Sequence, residues 1–353
     1  MAAWLDGIFA AKKKKSLPEQ TTAPTPIPTP PPYVKLPTPQ VRTVFMGTPH
    51  LAAALLETLI TEKYNIVGVI TQPDKPAGRK KELKASAVKE LALKHSLPLE
   101  QPRKMDAEAI GKIRDWKPDL IVVAAYGKIL SEEVLKIPGL GALNVHASLL
   151  PRWRGASPIQ NSLLAGDQET GVTLMVMDKG MDTGDIITQK TIPIAPDDTQ
   201  ETLSTKITEA GQSLLVETLP LWVKRKIPAT PQSEEGITLC QLIEREDGHI
   251  LFTEDAESIY NRYRALYPWP GIFAFWKKGD GVQRMKFTKI SYQKQSPQIP
   301  KKLGEVFELG EHIGIQTSTG VIFLEEIQPE GKTAMSISDF VRGNQDFIGS
   351  LLQ

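Results

Sequence analysis

The sequence has few of the residues that build disulfide-bonded folds or thiolate metal sites. Its single cysteine, Cys240, excludes an intrachain disulfide framework and a metal site built from cysteine. The five histidines are scattered and lack the close spacing of a typical zinc motif, so we expect no metal. No apolar run reaches the length of a membrane span, so we expect no stable association with a membrane.

The sequence also lacks a strong net charge and a dinucleotide-binding glycine pattern. A formal charge of +1 gives no overall attraction to polyanions, so any nucleic-acid surface must come from local clusters of basic residues. The glycines after the first predicted strand do not match Gly-x-Gly-x-x-Gly, which disfavours a dinucleotide-binding dehydrogenase. What is present is an ordinary globular composition: 353 residues, 41% hydrophobic and 24% charged, enough for two domains with a sizeable core.

The first forty residues differ in composition from the rest of the chain. An apolar stretch, Met1–Ala11, precedes four lysines and a proline-rich segment, which reverses the charge order of a secretory signal. The segment contains acids and no arginine, so we expect a cytoplasmic protein and favour organellar import less. A short helix beside lysines could touch an anionic membrane, but only weakly. We expect residues 1–40 to form a disordered extension, because proline-rich polar segments cannot bury a core.

Residues 41–227 are expected to form a first domain of alternating strands and helices. Strands are predicted at Arg42–Met46, Asn65–Thr71, Leu99–Gln101, Asp119–Ala125, Leu143–His146, Gly171–Met177 and Ile186–Ile194, with helices between most of them and a long helix at Thr199–Trp222. This alternation favours a doubly wound, Rossmann-like α/β fold, with a mostly parallel sheet and helices on both faces. Thr48 is expected to cap the first helix and Pro49 to begin it, whereas Asp198 and Glu201 have the spacing of a capping box.

Two polar residues stand at the end of one predicted strand. Asn144 and His146 alternate with Leu143 and Val145, so their side chains should share one face of the strand. The run breaks into a loop at Ser148, which places the pair at the carboxyl end of the strand, where open α/β sheets bind ligands. A histidine in such a position is more often a satisfied polar group than a catalyst, and that alternative stays open.

The loop that joins the last two strands of this domain, residues 178–185, carries three acids. An amide and an imidazolium can together hold a developing oxyanion, and a nearby carboxylate can accept a proton from an attacking amine. Asn144, His146 and one of these acids therefore suit acyl transfer without a covalent enzyme intermediate. The residues alone do not decide among Asp178, Asp182 and Asp185.

The segment from Asn144 to Ile186 resembles the signature of the 10-formyltetrahydrofolate-dependent formyltransferases. The match runs Asn144-Val-His146-Ala-Ser-Leu-Leu-Pro151-x-x-Arg154-Gly155-Ala-x-Pro158-Ile159, then Gly171-Val-Thr173, then Met181-Asp182-Thr183-Gly184-Asp185-Ile186. Three features resemble in particular the branch of the family that acts on methionyl-tRNA: Gly47-Thr48-Pro49, the loop Thr71 to Arg79, and Tyr267-Pro-Trp-Pro270. The chain departs from the family pattern at Leu51, at Lys84–Val88 and in its forty-residue extension.

The resemblance implies an activity and assigns roles to residues. It implies transfer of a formyl group from 10-formyltetrahydrofolate, the co-substrate, to the methionine α-amine of initiator methionyl-tRNA. The catalytic residues would be Asn144, His146 and Asp182. The folate would lie along Ser148, Leu149, Leu150 and Pro151 and against Tyr126, Gly127, Ile129 and Leu130. The tRNA would be met by Arg79, Lys80, Lys81, Arg152, Arg154, Lys286 and Lys289. We expect a monomer.

The rest of the chain reads as a linker and a small second domain. The polar, proline-containing residues 228–236 predict a linker, and residues 237–353 a domain of short strands at Lys286–Tyr292, Gly304–Leu309, Gly314–Thr317 and Val321–Gln328. The resemblance implies an OB-like β-barrel that binds tRNA. Ten basic residues between Arg262 and Lys302 share their segment with one acid, Asp280, and form either a solvated surface or an RNA-binding one.

Three other functions remain open from sequence. A formyltransferase for an amino sugar nucleotide would share the Asn-x-His motif and the acidic loop, but a sugar needs no long basic surface. A hydrolase that releases formate would use water in place of the amine. A non-catalytic RNA-binding protein on the same scaffold would not need the intact set Asn144, His146 and Asp182.

Overall fold

A computed structural model describes residues 40–77, 82–296 and 301–353. The expectation of a disordered extension therefore falls almost wholly outside the described residues. The predicted tRNA contacts Arg79, Lys80 and Lys81 also lie outside them.

The first part of the chain alternates strands and helices as the apolar pattern predicts. In chain order the elements are β1 Arg42–Gly47, α1 His50–Thr61, β2 Asn65–Ile70, β3 Lys75–Ala77, β4 Glu82–Lys84, α2 Ala87–Lys94, β5 Leu99–Glu100, α3 Ala107–Asp115, β6 Leu120–Ala124, α4 Glu132–Leu135, β7 Ala142–His146, β8 Arg154–Gly155, α5 Pro158–Leu164, β9 Glu169–Val176, β10 Ile186–Pro193 and α6 Gln200–Val223.

Seven of these strands form one sheet in the order β10-β9-β7-β6-β1-β2-β5. Strands β7, β6, β1, β2 and β5 run parallel to one another. Strand β9 is antiparallel to β7, and β10 is antiparallel to β9. The prediction of a mostly parallel sheet is confirmed. Strands β9 and β10 form a hairpin at the end of the sheet next to β7. They are joined by the short loop 178–185 rather than by a crossover helix, as antiparallel strands can be.

Side-chain alternation divides the core between the two faces of the sheet. Phe45 and Leu143 belong to the cluster that packs against α1 and α6, whereas Val44 and Met46 belong to the cluster that packs against α3. Each fully buried side chain of this size contributes about 1.5–3 kcal/mol of transfer free energy. Helices cover both faces, and Asn144, next to Leu143, points to the face opposite α1 and α6.

Helix α1 begins one residue later than predicted. Its N-cap is Pro49, which has no side chain that can accept a hydrogen bond, and its first residue is His50. The Thr48 hydroxyl donates instead to the carbonyl oxygen of Tyr126, 3.3 Å away. This long-range bond ties the end of β1 to the end of β6 and takes the place of the predicted cap.

The predicted capping box at the start of α6 was wrong in its residues. Thr199 is the N-cap, and its hydroxyl and that of Thr202 each accept a hydrogen bond from the other's backbone N–H. The Asp198 carboxylate lies one residue too early and binds the Lys206 ammonium at 2.6 Å, while Glu201 sits in the first turn. The capping box lies one residue later than predicted because the Asp198 carboxylate is buried and bonds to other groups.

The second part of the chain contains a curled antiparallel sheet. Its elements are β11 Leu239–Cys240, a 3₁₀ turn at Glu246–Gly248, α7 Ala256–Leu266, β12 Ile272–Lys278, β13 Gly281–Gln293, β14 Val306–Leu309, β15 His312–Gln316, β16 Val321–Pro329, β17 Met335–Ser336, α8 Ile337–Arg342 and a 3₁₀ turn at Gln345–Phe347. The order is β12-β13-β16-β15-β14, with β17 paired to β16. The prediction of a small barrel-like β domain is confirmed as a half-barrel. Strand β12 was not predicted from the sequence.

Irregular pairing curls this sheet. The register between β13 and β16 shifts twice near Lys289, and such bulges increase strand twist. Helix α7 packs on β13 and also contacts α5 and α6 of the first part. None of the described helices is both long and apolar enough to cross a membrane.

Candidate active site

Asn144 and His146 lie at the carboxyl end of β7, between β6 and β9. Asn144 pairs with Val123 of β6, and His146 pairs with Thr173 of β9. Both side chains are buried, at 8% and 6% exposure. Their common direction follows from the alternation of a strand, and their depth follows from the central position of β7 in the sheet.

The Asp182 carboxylate meets both of these side chains. Its Oδ1 accepts a hydrogen bond from Nδ2 of Asn144 at 3.2 Å. Its Oδ2 lies 3.6 Å from Nδ1 of His146 and accepts a hydrogen bond from the backbone N–H of Gly155 at 2.9 Å. One carboxylate therefore joins an amide, an imidazole and a backbone N–H across 38 residues of sequence.

The other two acids of the loop face elsewhere. The Asp178 carboxylate accepts hydrogen bonds from the backbone N–H of Gly180 and the hydroxyl of Thr183, so it closes the loop on itself. Asp185 contributes its backbone carbonyl, which accepts from Val176 in the hairpin. Of the three aspartates that the sequence leaves open, the structure brings Asp182 to the pair on β7.

His146 is held from its other side by the loop that follows β7. Its Nε2 lies 2.9 Å from the carbonyl oxygen of Trp153. A carbonyl can only accept, so Nε2 carries the proton of this bond. Nδ1 is the nitrogen left to face Asp182, and it gains a proton only in the imidazolium form.

Gly155 has to be glycine at this place. Its φ of +123° is a conformation that side chains disfavour, and a Cβ would lie 2.1 Å from the carbonyl oxygen of Cys240. The close approach lets β8 pair with β11 and points the Gly155 N–H at Asp182.

The predicted folate-lining residues Ser148 to Pro151 form a loop tied to β9 and β10. Ser148 is fully buried, and its hydroxyl donates to the carbonyl of Arg152 at 2.6 Å. The Thr173 hydroxyl donates to the carbonyl of Ser148 and accepts from the backbone N–H of Leu150. Leu150 is buried as well, whereas Leu149 and Pro151 are half-buried.

The second predicted folate segment leaves the carboxyl end of β6. Burial of Tyr126 raises the pKa of its phenol to about 12, and its hydroxyl has no partner among the described residues. Leu130 is buried, but the Ile129 side chain is 80% exposed. Gly127 has φ +75°, and Nε2 of Gln72 donates to the carbonyl of Tyr126 at 2.8 Å.

The described basic residues predicted to meet tRNA have protein partners. Arg152 forms a two-pronged ion pair with Asp167, whose hydrogen bond raises the pKa of the guanidinium. Both Nε and Nη2 of Arg154 donate to Oε1 of Gln232. In the second part, Lys286 donates to the carbonyl of Pro268, and burial lowers its pKa; Lys289 pairs with Glu325 at 3.0 Å.

No sequence pattern indicated that residues 230–240 take part in the site. Thr230 pairs with Ile186 in an antiparallel bridge, and the Thr238 hydroxyl accepts from the backbone N–H of Trp153 at 2.8 Å. Gln232 bonds to the loop of Asp182. A polar, proline-containing segment is typical of a linker, and no sequence motif distinguishes a linker whose residues also contact the active site.

Across the described ranges, no three His, Cys, Asp or Glu side chains come together as metal ligands.

Sequence comparison connects this geometry to known proteins. The model of the Formyl transferase family matches residues 41–219, and that of the Formyl transferase C-terminal domain matches residues 242–345. The methionyl-tRNA formyltransferase of Symbiobacterium thermophilum is 43% identical over 313 residues, covering 88% of this chain and 94% of the relative. That of Bacillus pumilus is 42% identical over 315 residues, covering 88% and 97%.

Solved structures share the fold. The N-formyltransferase of Helicobacter canadensis, in complex with folinic acid and dTDP-3-aminofucose, has a TM-score of 0.60 at 19% identity and covers 81% of this chain and 99% of its own. HypX of Aquifex aeolicus, in complex with tetrahydrofolic acid, has a TM-score of 0.57 at 18% identity, covering 85% of this chain and 46% of its own. With both family models matched and relatives above 40% identity over most of its length, the chain belongs to the formyl transferase family.

Proposed function

We propose that this protein transfers the formyl group of 10-formyltetrahydrofolate to the α-amino group of methionine on initiator tRNA, giving N-formylmethionyl-tRNA for translation initiation. The observation that carries the proposal is the Asp182 carboxylate, held between the amide of Asn144 and the imidazole of His146. Relatives named methionyl-tRNA formyltransferase, similar over nearly nine-tenths of the chain, support the choice of substrate.

The carboxyl edge of the sheet offers surfaces that fit a folate. The exposed Ile129 side chain supplies an apolar surface on the segment that follows β6, the strand beside β7. The Tyr126 ring lies on the same segment, buried beneath this surface. A pterin is a flat ring with polar edges, which suits an apolar wall with few polar groups. Under the proposal, Ser148–Pro151 line the remainder of the folate.

Three groups of this chain perform the chemistry. When bound, the co-substrate supplies a formyl carbonyl that an amine can attack. The Asn144 amide has two N–H donors, of which one binds Asp182, so the second can donate to an oxygen that gains negative charge. As the imidazolium, His146 can donate a hydrogen bond from Nδ1 to the same oxygen while Nε2 stays bonded to Trp153. Asp182 accepts the proton that the amine loses, directly or through water, and the leaving tetrahydrofolate nitrogen takes up a proton as its bond to the formyl carbon breaks.

The tRNA substrate presents an amine that is ready to react. The α-amine of an aminoacyl ester is less basic than a free α-amino group, whose pKa is about 7.7–8.0. Much of it is therefore neutral near pH 7 and can act as a nucleophile. The active site then has to orient the amine and remove its proton after attack, so positioning and charge stabilisation supply most of the rate.

The proposal divides the chain into three working parts. Residues 41–227 carry the chemistry, residues 228–236 connect, and residues 237–353 help to hold the tRNA, with Lys286 and Lys289 among the contacts. Arg152 and Arg154 also contact the tRNA, and Arg79, Lys80 and Lys81, which lie outside the described residues, meet its acceptor end. The protein works as a monomer in the cytoplasm, where initiation takes place.

One assay tests the proposed function. Purified full-length protein is mixed with 10-formyltetrahydrofolate and initiator tRNA charged with labelled methionine, and the released amino acid is examined for formylmethionine. We expect formylation with the wild type and a loss of about 10²–10⁴-fold in kcat for His146→Ala or Asp182→Asn. A gel shift with the charged tRNA should change little, because these side chains are buried within the reaction centre.

Control reactions separate the other activities. Formate release in the absence of tRNA would indicate a hydrolase, and formylation of an amino sugar nucleotide in place of tRNA would indicate the sugar-directed branch. Absence of formylmethionine with the wild-type protein, under conditions where a bacterial relative succeeds, would overturn the proposal.

A further inference from the structure

We infer that Gln232, in the segment that joins the two parts of the chain, is a positioning residue that fixes the Asp182 carboxylate for proton transfer. The inference rests on the proposed function for its kinetic consequence. Gln232 belongs to no recognised motif and neighbours the exposed residues Pro231 and Ser233, yet its own side chain is half-buried.

All four hydrogen-bonding positions of the Gln232 amide are used. Nε2 donates to the backbone carbonyls of Asp182 and Gly184, each at 2.8 Å. Oε1 accepts from Nε and Nη2 of Arg154, at 3.0 and 2.7 Å. The orientation of the amide is determined, since the reverse would place its oxygen against two carbonyls and its N–H groups against a guanidinium.

The Asp182 loop needs an external support. Asp182 has φ +55°, a left-handed conformation, and its neighbours Met181 and Thr183 are exposed. Asp178 closes the loop internally, but its bonds reach Gly180 and Thr183 and not Asp182. The two bonds from Gln232 hold the backbone on either side of residue 183.

Gln232 also links the two loops that meet at the carboxylate. Arg154, which it holds, precedes Gly155, whose N–H donates to Oδ2 of Asp182. One amide therefore fixes the donor strand β8 and the acceptor loop relative to each other. The surrounding segment is anchored at both ends, by Thr230 on Ile186 and by Thr238 on Trp153.

A merely structural role makes a different prediction from a positioning role. If Gln232 only stabilised the fold, its replacement would lower the free energy of unfolding and leave kcat per folded molecule unchanged. If it positions Asp182, kcat falls in the folded enzyme while KM for the tRNA stays near its original value.

The Gln232→Glu variant tests separately the hydrogen bonds that Gln232 makes to the Asp182 loop. A carboxylate keeps an acceptor for Arg154 but turns an oxygen toward two carbonyl oxygens in place of the N–H donors. Gln232→Met removes the hydrogen bonds to the Asp182 loop and those from Arg154, with a side chain of similar length. The matched control is Gln212→Met on α6, since Gln212 also donates two bonds, to the Ala54 carbonyl and the Thr58 hydroxyl of α1.

Two readouts decide the inference. For Gln232→Glu we expect kcat of formylation to fall by about 10- to 100-fold, with KM for methionyl-tRNA within about threefold of wild type, because small misplacements of a reacting group have effects of this size. Hydrogen exchange of the Gly155 amide, measured by mass spectrometry on short peptides, should quicken as its acceptor moves. Gln212→Met should change neither quantity, although it lowers thermal stability.

The outcomes distinguish this inference from the proposed function. A kcat within twofold of wild type for both Gln232 variants, or unchanged exchange at Gly155, would overturn the positioning role. If the wild type makes no formylmethionine, the proposed function fails, and the exchange at Gly155 still decides whether Gln232 holds Asp182. A loss of kcat matched by Gln212→Met would show a structural role only and would also overturn the inference.

Discussion

His146 and Trp153 are joined by a 2.9 Å hydrogen bond from ring Nε2 to a backbone carbonyl oxygen. This bond fixes which nitrogen of the ring faces Asp182. Trp153 is itself held by three groups: its backbone N–H donates to Thr238, its indole N–H donates to Asp167, and its ring stacks under the Arg152 guanidinium at 4.3 Å. The orientation of the histidine thus depends on residues well outside the reaction centre.

Replacement of Asp167 by asparagine should disturb this arrangement. The carboxylate accepts from the Trp153 indole at 2.8 Å and from Nε and Nη2 of Arg152, and an amide cannot accept all three bonds. We expect a loss of about 1.5–3 kcal/mol in the free energy of unfolding, since the acceptor is charged. Urea denaturation measures this, with Asp339→Asn on the exposed face of α8 as the control. Equal stability of Asp167→Asn and wild type would contradict the prediction.

Asparagine substitutions at the three loop aspartates should have graded effects on turnover. Asp182→Asn should lower kcat most, by about 10²–10⁴-fold, because it removes the proton acceptor. Asp178→Asn weakens the internal closure of the loop and should give a smaller decrease. Asp185→Asn should remain near wild type, because Asp185 bonds the hairpin through its backbone. Formylation at saturating substrates gives the ranking, and a larger loss at Asp178 or Asp185 would reject the assignment.

Gly155→Ala should destabilise the protein and reduce its activity. The new Cβ would lie 2.1 Å from the Cys240 carbonyl oxygen at a φ of +123°, and such backbone strain costs about 1–3 kcal/mol. Gly111→Ala in α3 is a matched control, because its Cβ meets nothing within 4 Å and the helix should gain about 0.5–1 kcal/mol. Thermal denaturation of the two variants should show shifts of opposite sign. A stable, fully active Gly155→Ala would refute the close approach of β8 and β11.

Arg264→Met should loosen the contact between α7 and the start of α6. Arg264 is buried, and its Nη1 donates to the carbonyls of Asp198 and Ala195, while Nη2 donates to Asn261. Methionine fills a similar volume but leaves buried acceptors without a donor, at a cost of about 2–3 kcal/mol. Calorimetry should show this loss, whereas Arg342→Met on the exposed side of α8 should change stability by less than about 0.5 kcal/mol. Similar effects of the two substitutions would contradict the structural role of Arg264.

Stability at acid pH should depend on Asp198. Burial raises the pKa of this carboxyl, but hydrogen bonds from Lys206, Ala195 and Thr202 outweigh burial and hold the pKa below its usual value. A lowered pKa in the folded state stabilises the protein above the unfolded value of about 3.9, and this contribution is lost as the pH falls through the folded value. Urea denaturation between pH 6 and pH 3 should show wild type losing its advantage over Asp198→Asn below about pH 4. A difference that does not vary with pH would exclude this linkage.

Local patterns were enough to predict most of the first sheet. Apolar runs without alternation indicate strands covered on both faces, and the alternation around Asn144 placed two polar side chains on one face of β7. Helix starts were less certain, as at α1 and α6, because several residues near a helix start can cap it. Contacts other than the predicted caps decided both starts: the Thr48 hydroxyl donates to the carbonyl of Tyr126, and the Asp198 carboxylate binds Lys206.

Periodicity and contiguous motifs were enough to predict the fold class, the family resemblance and the position of Asn144 and His146. Residue spacing left three acids open and the family resemblance pointed to Asp182, whereas the three-dimensional fold shows how that acid meets the pair and what holds it in place. Asp182 lies 38 residues from Asn144, and Gln232 lies 50 residues from Asp182. Contacts at such separations arise where a hairpin and a returning segment meet the end of β7, and no local preference encodes that meeting.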